Sequence, residues 1–591
     1  MPHDVQNDVS LISKPSGTGP MSKVERIKQR SQGLFYVEAP HDRHTLSSEI
    51  DAMSSRQADT ISEQAKEVAK HFGIYKQRER NESGKKDGDF IFMVRVKNPA
   101  GGELTATQWL ALDAAADRFS DGSLRLTARQ GIQFHYVRGH SLADLIRHIN
   151  RRYCENGCQL TTLGACGDLN RNTVASPIDD LDAELPLDSR ELAYAVALEM
   201  TPRTSAYFQV FLADSNGQQV APLDSEEPIY GPQYLPRKFK VGFAHPHDNS
   251  VDLLTQDIGF VPRLKGKEVV GYDLYSGGGM GMTHNQAHTT PLLAEYLGVV
   301  QRAQVVEVVR AIATIQREHG DRVNRRQARW KYTIRRLGFA SVKEALRSRF
   351  GIDLIDSTPR PLPPVRDHLG WHREAGDGDL FYAGVVIPSG RVRDEGRRRY
   401  RSAIRAILTE FGEVGLRVTP NQHLLLTHIP AIRRNWIERI LAEHDVPFGN
   451  EVPPIQRFAM ACPAKPTCGL AMTHAERVLP RYLAELEQAG LGEVDVIIRM
   501  AGCPNGCSRP PTAEIGIVGY GKNEYVLMVG GSRDGSRLGR VLYDRLTERQ
   551  LVRVLKELVS AIRHRNPHRL SAGDFLHLTP DAELQREGSP R

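Results

Sequence analysis

The sequence predicts a mixed α and β fold built from two related halves. Three observations predict it. Short β-branched and aromatic runs alternate with longer runs of helical periodicity. Several of these runs recur once, in the same order, further along the chain. A proline-rich stretch with Pro359, Pro361, Pro363 and Pro364 separates the first set from the second.

The expected strands are Phe90–Lys97, Leu124–Arg129, Ile132–Val137, Tyr207–Ala213, Phe381–Pro388, Leu424–Ile429 and Val494–Met500. The expected helices are Ser141–Tyr153, Leu292–Glu318, Arg397–Phe411, Thr473–Ala489 and Glu548–Arg565. Thr547 and Gln550 form a capping box for the last of them. Among the echoes, Leu124–Gln130 (Leu-Arg-Leu-Thr-Ala-Arg-Gln) matches Leu416–Gln422 (Leu-Arg-Val-Thr-Pro-Asn-Gln). Asp257–Val261 matches Glu514–Val518, and Tyr272–Gly278 matches Tyr525–Gly531. Duplicated halves pack around a pseudo-two-fold axis, where a ligand can lie between them.

With 591 residues, the chain has room for several domains. Its 40% hydrophobic and 25% charged residues are ordinary for a soluble globular protein. No apolar run suffices to span a bilayer. Met1–Lys23 is polar, with Pro15, Gly17, Gly19 and Pro20, and lacks the apolar core of a secretory signal. A disordered start, a loose end after Ser571, no membrane contact and a cytoplasmic location are expected. The net charge of +7 fits a solvated basic surface, an acidic protein partner or a polyanionic ligand. Without zinc-finger spacing, an aromatic RNA-binding signature or a dense Lys/Arg tract, nucleic acid is not the expected partner.

Of seven cysteines, four cluster late, as Cys462-Pro-Ala-Lys-Pro-Thr-Cys468 and Cys503-Pro-Asn-Gly-Cys507. An odd count in a chain without a signal argues against a disulfide framework. Four thiolates on two tight Pro/Gly loops fit a [4Fe–4S] cube, with one cysteine at each iron. Thiolates also suit zinc, although structural zinc sites prefer two to four residues between paired ligands and the first pair has five. Reduced structural cysteines are the third reading. Cys154 and Cys158, one helical turn apart, read as buried small residues.

A second constellation is basic. It comprises Arg95, Arg125, Arg129, Arg171, Lys238 and Lys240, each in a short strand-ending motif. Gln133 and His135 alternate with Ile132 and Phe134, so they share a strand face, as do Lys238 and Lys240 if that run is extended. Any one of these cations is explained by a surface ion pair; together they outline an anion site.

Taken together, these motifs resemble the sulfite/nitrite reductase haemoprotein family, closest to assimilatory sulfite reductase. The resemblance runs from about Ser62 to the last helix. It rests on Tyr75-Lys76-Gln77, Arg125–Gln130, the Gly164–Asn172 loop (Gly-Ala-Cys-Gly-Asp-Leu-Asn-Arg-Asn), Tyr234–Lys240 and the four late cysteines. It implies an α/β (α+β) fold in three domains, with duplicated halves around a ferredoxin-like pseudo-two-fold core. The implied segmentation is a mostly disordered tail over 1–60 and paired ferredoxin-like half-domains over 61–157 and 375–449. A first sirohaem and substrate domain over 158–374, a [4Fe–4S]/sirohaem domain over 450–570 and a tail over 571–591 complete it.

The resemblance also implies sirohaem and a [4Fe–4S] cluster sharing one cysteine sulfur, by position that of Cys507. Cys462, Cys468, Cys503 and Cys507 become the metal ligands. Arg125, Thr127, Arg129, Gln133 and His135 become macrocycle contacts, supported by Asn170 and Asn505. Arg95, Arg171, Lys238 and Lys240 surround the substrate anion. Cys166, five residues before Arg171 on the same loop, is expected either near the macrocycle or as a buried small residue, and the resemblance places the motif of Tyr75 near the same pocket. The implied reaction is the six-electron reduction of sulfite to sulfide, with nitrite to ammonia as the rival on the same cofactors. Nitrite-type members tend to carry Asn where this chain has Lys240. A non-catalytic iron–sulfur or zinc protein is the rival from another class, and it leaves the basic motifs unexplained. No dinucleotide or phosphate-loop fingerprint is present, so electrons are expected from a ferredoxin or a flavoprotein reductase subunit.

Overall fold

The computed structural model describes residues 19–31, 46–79, 88–155, 160–202, 227–283, 286, 288–376, 378–521 and 523–587. The first half opens with a sheet of β1 (Ile74–Arg78), β2 (Phe90–Val96), β3 (Leu124–Leu126) and β4 (Ile132–Val137), in the order β1-β2-β4-β3. Apolar residues of β2 and β4, among them Phe92, Val94 and Phe134, are fully buried. The helix Ala106–Phe119 packs Trp109, Leu112 and Ala116 inward and starts at a Thr105–Gln108 capping box.

A second sheet follows, with β5 (Val174–Ala175), β6 (Val241–Phe243), β7 (Ile258–Lys265), β8 (Glu268–Ser276) and β9 (Glu295–Val300) side by side in chain order. The first three are mutually parallel and the last two antiparallel.

The second half repeats both sheets. β10 (Gly370–Arg373) and β11 (Leu380–Val385) lead to β12 (Arg391–Val392) and a small exposed hairpin, β13 (Asp394–Glu395) with β14 (Arg398–Arg399). β15 (Gly415–Val418) and β16 (Leu424–Pro430) complete the order β10-β11-β16-β15, that of the first sheet. Finally β17 (Met460–Ala461), β18 (Ile498–Ala501), β19 (Ile515–Gly521), β20 (Glu524–Val529) and β21 (Arg540–Thr547) run in chain order, again three parallel and two antiparallel.

Backbone strain is duplicated too. Ala100 and Ser389, Gln130 and Gln422, Tyr136 and His428, and Asp252 and Arg509 are matched pairs of non-glycine residues with positive φ. The halves also trade edges, since β12 pairs with β3 while Leu104 bridges Leu416 of β15.

Several expected elements are redrawn. Leu292–Glu318 is not one helix. Its first part is β9, whose β-branched residues pair with β8, and only Val305–His319 is helical. The helix expected over Thr473–Ala489 is Leu479–Gln488, with Pro480 in its first turn, because the backbone of Met472 and Thr473 is engaged with Gly502. The strands at Leu124 and Val494 are shorter than expected, and the strand expected at Tyr207–Ala213 lies outside the described residues.

The ends are not simply tails. Lys23–Ser31 and Leu46–Ser54 are helices, the first burying Glu25 and Lys28 and the second Leu46, Ile50 and Met53. At the other end, Ala572–Leu578 and Asp581–Glu587 are helices that bury Phe575, Leu576 and Leu584. Local polarity hid apolar residues at helical spacing. No described helix is long and apolar enough to cross a membrane.

Candidate functional site

Cys462 follows β17 and Cys503 follows β18, at the same end of two parallel strands, where α/β sheets place ligands. The Gly502 amide donates to Cys462 Sγ at 3.2 Å, and Asn505 Nδ2 approaches Cys503 Sγ at 3.5 Å. Cys462 and Cys503 are buried, Cys468 is half-buried and Cys507 is exposed. Burial and the neighbouring thiolates push Cys462 well above the ordinary thiol range and Cys503 up to about 12. Such thiols ionise when a metal takes the proton's place.

Four thiols on two loops at one end of the sheet supply the one-cysteine-per-iron set that a [4Fe–4S] cube needs.

Facing the cysteines, one row of side chains crosses the first sheet. Arg95 on β2 pairs in register with Gln133 on β4, Gln133 with Arg125 on β3, and Arg125 with Arg391 on β12. Arg125 is fully buried and already engaged. Its Nε donates to Glu476 at 2.8 Å, and its other nitrogens donate to the carbonyls of Ala461 and Leu126. Arg391 donates to the same carboxylate at 2.7 Å and to Nδ1 of His135 at 2.8 Å. Burial and the Arg391 charge keep that imidazole neutral, well below the usual histidine range. Arg125 thus holds the strand that carries Cys462. Thr127 accepts from the Gly131 amide at 3.0 Å, which fixes the β3–β4 turn.

The remaining cations come from the run before β5 and β6. Arg171 N donates to Phe239 O at 2.8 Å, and Phe239 N to Leu169 O at 3.0 Å. That ladder, with Phe239 buried between them, holds Lys238 and Lys240 on one face. Burial lowers Lys238 to about 7 and takes Lys240 well below the ordinary lysine range, reinforced by each one's cationic neighbours. Neither forms an ion pair with a described carboxylate. Arg171 Nε donates to Gly167 O at 2.9 Å, Arg95 donates to Cys166 Sγ at 3.0 Å, and Tyr75 is hydrogen-bonded to Cys166.

One cavity joins the two sets. Counting its open mouth, it holds about 1450 Å³ of empty space, and it is lined by Arg95, Arg125, Thr127, Arg129, Gln133, His135, Arg171, Lys238, Lys240, Asn505 and all four cysteines. Asn170 is the exception. It is fully buried and does not line the cavity; its Nδ2 is on Thr173, and its Oδ1 has no hydrogen-bond partner among the described residues. Its neighbour Asn172 lines the cavity instead.

Sequence reasoning missed Asn172, Arg329, Gln256, Gln422 and Arg509, all on the wall, and Arg391 with Glu476 behind it. The repeat carried a signal for Gln422, which echoes Gln130; the others come from loops with no local pattern. Buried Nε atoms of Arg129 and Arg329, and the side-chain oxygens of Asn172 and Gln422, lack a hydrogen-bond partner among the described residues. The cations and the two orphaned guanidinium donors call for an anionic occupant with several acceptors, and the two orphaned amide oxygens for a donor. A polycarboxylate macrocycle meets that need, and the sulfurs meet that of a four-iron cluster.

Comparison with known proteins agrees. The model of the nitrite and sulphite reductase 4Fe-4S domain matches residues 166–354, and that of the nitrite/sulfite reductase ferredoxin-like half domain matches 83–152 and 373–444. A sulfite reductase [NADPH] hemoprotein beta-component of Geobacillus kaustophilus is 36% identical over 568 residues, covering 94% of this chain and 95% of the relative. The chain belongs to the nitrite and sulfite reductase family. A sulfite reductase [ferredoxin] of Synechococcus elongatus is 38% identical over 578 residues, covering 94% of this chain and 89% of its own. The solved NirA protein of Mycobacterium tuberculosis shares the fold, with a TM-score of 0.75 at 23% identity over 96% of this chain and 98% of that one. Within this family member, the 4Fe-4S domain match falls on the first copy of the repeated sheet, while the four clustered cysteines lie in the second.

Proposed function

We propose that the chain reduces sulfite to sulfide at a sirohaem coupled to a [4Fe–4S] cluster. The observation that carries the reading is a single cavity lined by four cysteines on one wall and, on the other, by cations that include Lys238 and Lys240, neither paired with a described carboxylate. Relatives named as sulfite reductases over nearly the whole length support it. When bound, the two groups supply single electrons for the six-electron reduction.

The protein's own part is electrostatic and protonic. Cys462, Cys468, Cys503 and Cys507 would hold the cluster, with the exposed Cys507 lining the cavity that would take the macrocycle. Arg129 and Gln133 would hold the macrocycle, while Arg125 and His135 stiffen the wall. The guanidinium groups of Arg95 and Arg171 clamp the anion. Lys238 and Lys240, with lowered proton affinity, bind the anion and release protons as oxygen leaves. Electrons come from a ferredoxin or a flavoprotein subunit. The basic net charge and Leu470, 68% exposed on the cavity rim two residues from Cys468, support docking of an acidic donor there.

The test is the purified holoenzyme with an artificial one-electron donor under anaerobic conditions. Expected are a chlorin-like red absorption band, stoichiometric sulfide from sulfite, and loss of that band in Cys507→Ser. A colourless zinc protein, or a higher specificity constant for nitrite, overturns the reading.

A further inference from the structure

The duplication gives the cysteine loop a counterpart in the first half. Ser176 N donates to Phe243 O as Cys462 N donates to Met500 O, so Ser176 occupies the place of Cys462. Phe243 and Met500 pair with equivalent residues of β7 and β19, and Asp252 and Arg509 each open a short helical turn with positive φ. The intervening loops have equal length, which puts Ser250 in the place of Cys507. The first-half loop is Ala244-His245-Pro246-His247-Asp248-Asn249-Ser250.

The space in front of it is filled. Ile178 and Leu181 pack against Tyr382 and Leu425 of the second half. The same segment brings Asp182 beside the loop, with His247 Nδ1 at 3.0 Å from its Oδ2. Ligand atoms of Asp182, His245 and His247 lie within 4.8 Å of one another.

We propose that Asp182, His245 and His247 form a binding site for a divalent transition-metal ion, zinc being the best fit. The surroundings are those of a ligand set. His245 Nε2 lies 2.9 Å from Leu185 O and, as donor, leaves the lone pair on Nδ1. Asp182 Oδ1 accepts from the amides of Glu184 and Leu185, both at 3.0 Å, leaving Oδ2 for a cation. Two imidazoles and one carboxylate suit zinc, not calcium or magnesium. The His247 side chain is 28% exposed, so an ion has an entry path and water can fill a fourth position. Entry exchanges the His247–Asp182 bond, and the 3.1 Å bond from the His247 amide to His245 Nδ1, for coordination. The ion would pin the filling segment to the loop after β6, where the second copy carries its cluster ligands.

The experiment uses holoenzyme with iron content and visible spectrum intact. Wild type, His247→Gln and Asp182→Asn are dialysed against micromolar zinc, rinsed without chelator and analysed for metals. Wild type should retain about one zinc per chain more than either variant, and zinc should raise the melting temperature of wild type alone. His247 is partly exposed, so its variant folds, and an unchanged spectrum verifies that. Equal zinc in all three proteins, or none in wild type, overturns the proposal.

Discussion

At the scale of single residues, charge decides what the cavity takes. Lys240 has no ion-pair partner among described carboxylates, and burial beside Lys238 and Arg129 disfavours its charge, so an anion bound beside it is what holds it as the ammonium. Sulfite at neutral pH carries up to two negative charges and nitrite one. Removing a cation from a partly desolvated wall therefore penalises sulfite more. Lys240→Asn should lower the specificity constant for sulfite about ten- to a hundredfold, the equivalent of about 1.5–3 kcal/mol for a lost charge-assisted hydrogen bond. The nitrite constant should fall much less. Sirohaem content should hold, because Lys240 is assigned to the substrate and not to the cofactors. Steady-state kinetics with both substrates checks this, and an unchanged ratio of the two constants removes the main support for sulfite. That the four cysteines and the cations line one cavity was foreshadowed in the sequence, because metal and anion chemistry restrict residue type at fixed spacing. That Asn172 and not Asn170 lines the cavity was not legible, because neighbours on an irregular loop point to opposite sides, which spacing alone does not reveal. The bland reading of Cys154 and Cys158 concerns side chains outside the described residues.

At the scale of elements, long amphipathic helices and strands of alternating pattern were readable, whereas segments stabilised by distant contacts were not. The helix Lys23–Ser31 is the clearest case. Its sequence is polar, yet Lys28 Nζ, buried beneath it, donates to Asp168 at 3.1 Å and to Leu235 O at 2.8 Å. Those contacts tie the Arg171 loop to the run carrying Lys238 and Lys240. Arg325 also bonds Asp168, and Arg322 bonds Glu25. A charge pattern of this kind looks like a solvated tail until its partners, far away in sequence, are known. Removing one member of a buried ion pair typically costs about 3–5 kcal/mol. Lys28→Met should therefore release the helix, exposing Lys23 and Arg26 to trypsin, and should raise the KM for sulfite with cofactor content unchanged. A variant as protease-resistant as wild type, with the same KM, would show that the helix does not set the site.

At the scale of the whole molecule, each copy supplies half of one site. The first contributes Arg171, Lys238 and Lys240; the second contributes the cysteines. Asp252 and Arg509, matched in the repeat, meet as an ion pair across the pseudo-axis. His428 joins the halves in the same way. Its ring nitrogens lie 2.8 Å from Glu103 of the first half and 3.0 Å from Glu374 of the second. The bond to Glu103, then that to Glu374, raises the imidazolium to about 10, while Glu103 falls to about 2 against its burial, through its bond to His428 and the charge of Arg417. A histidine raised in the folded state stabilises fully below its unfolded value of about 6.5. That contribution fades as pH rises toward 10. The carboxylate acts in the opposite sense, stabilising above about 4.5 and failing as pH drops toward 2. His428→Gln should thus melt below wild type between pH 5 and 6.5, with the gap narrowing steadily above pH 7 and closing near pH 10. The side chain is 40% exposed, so salt should shrink the gap as well. Melting curves of both proteins across this range decide the matter: a pH-independent gap would mean that the lost packing of the ring, and not its charge, is what joins the halves.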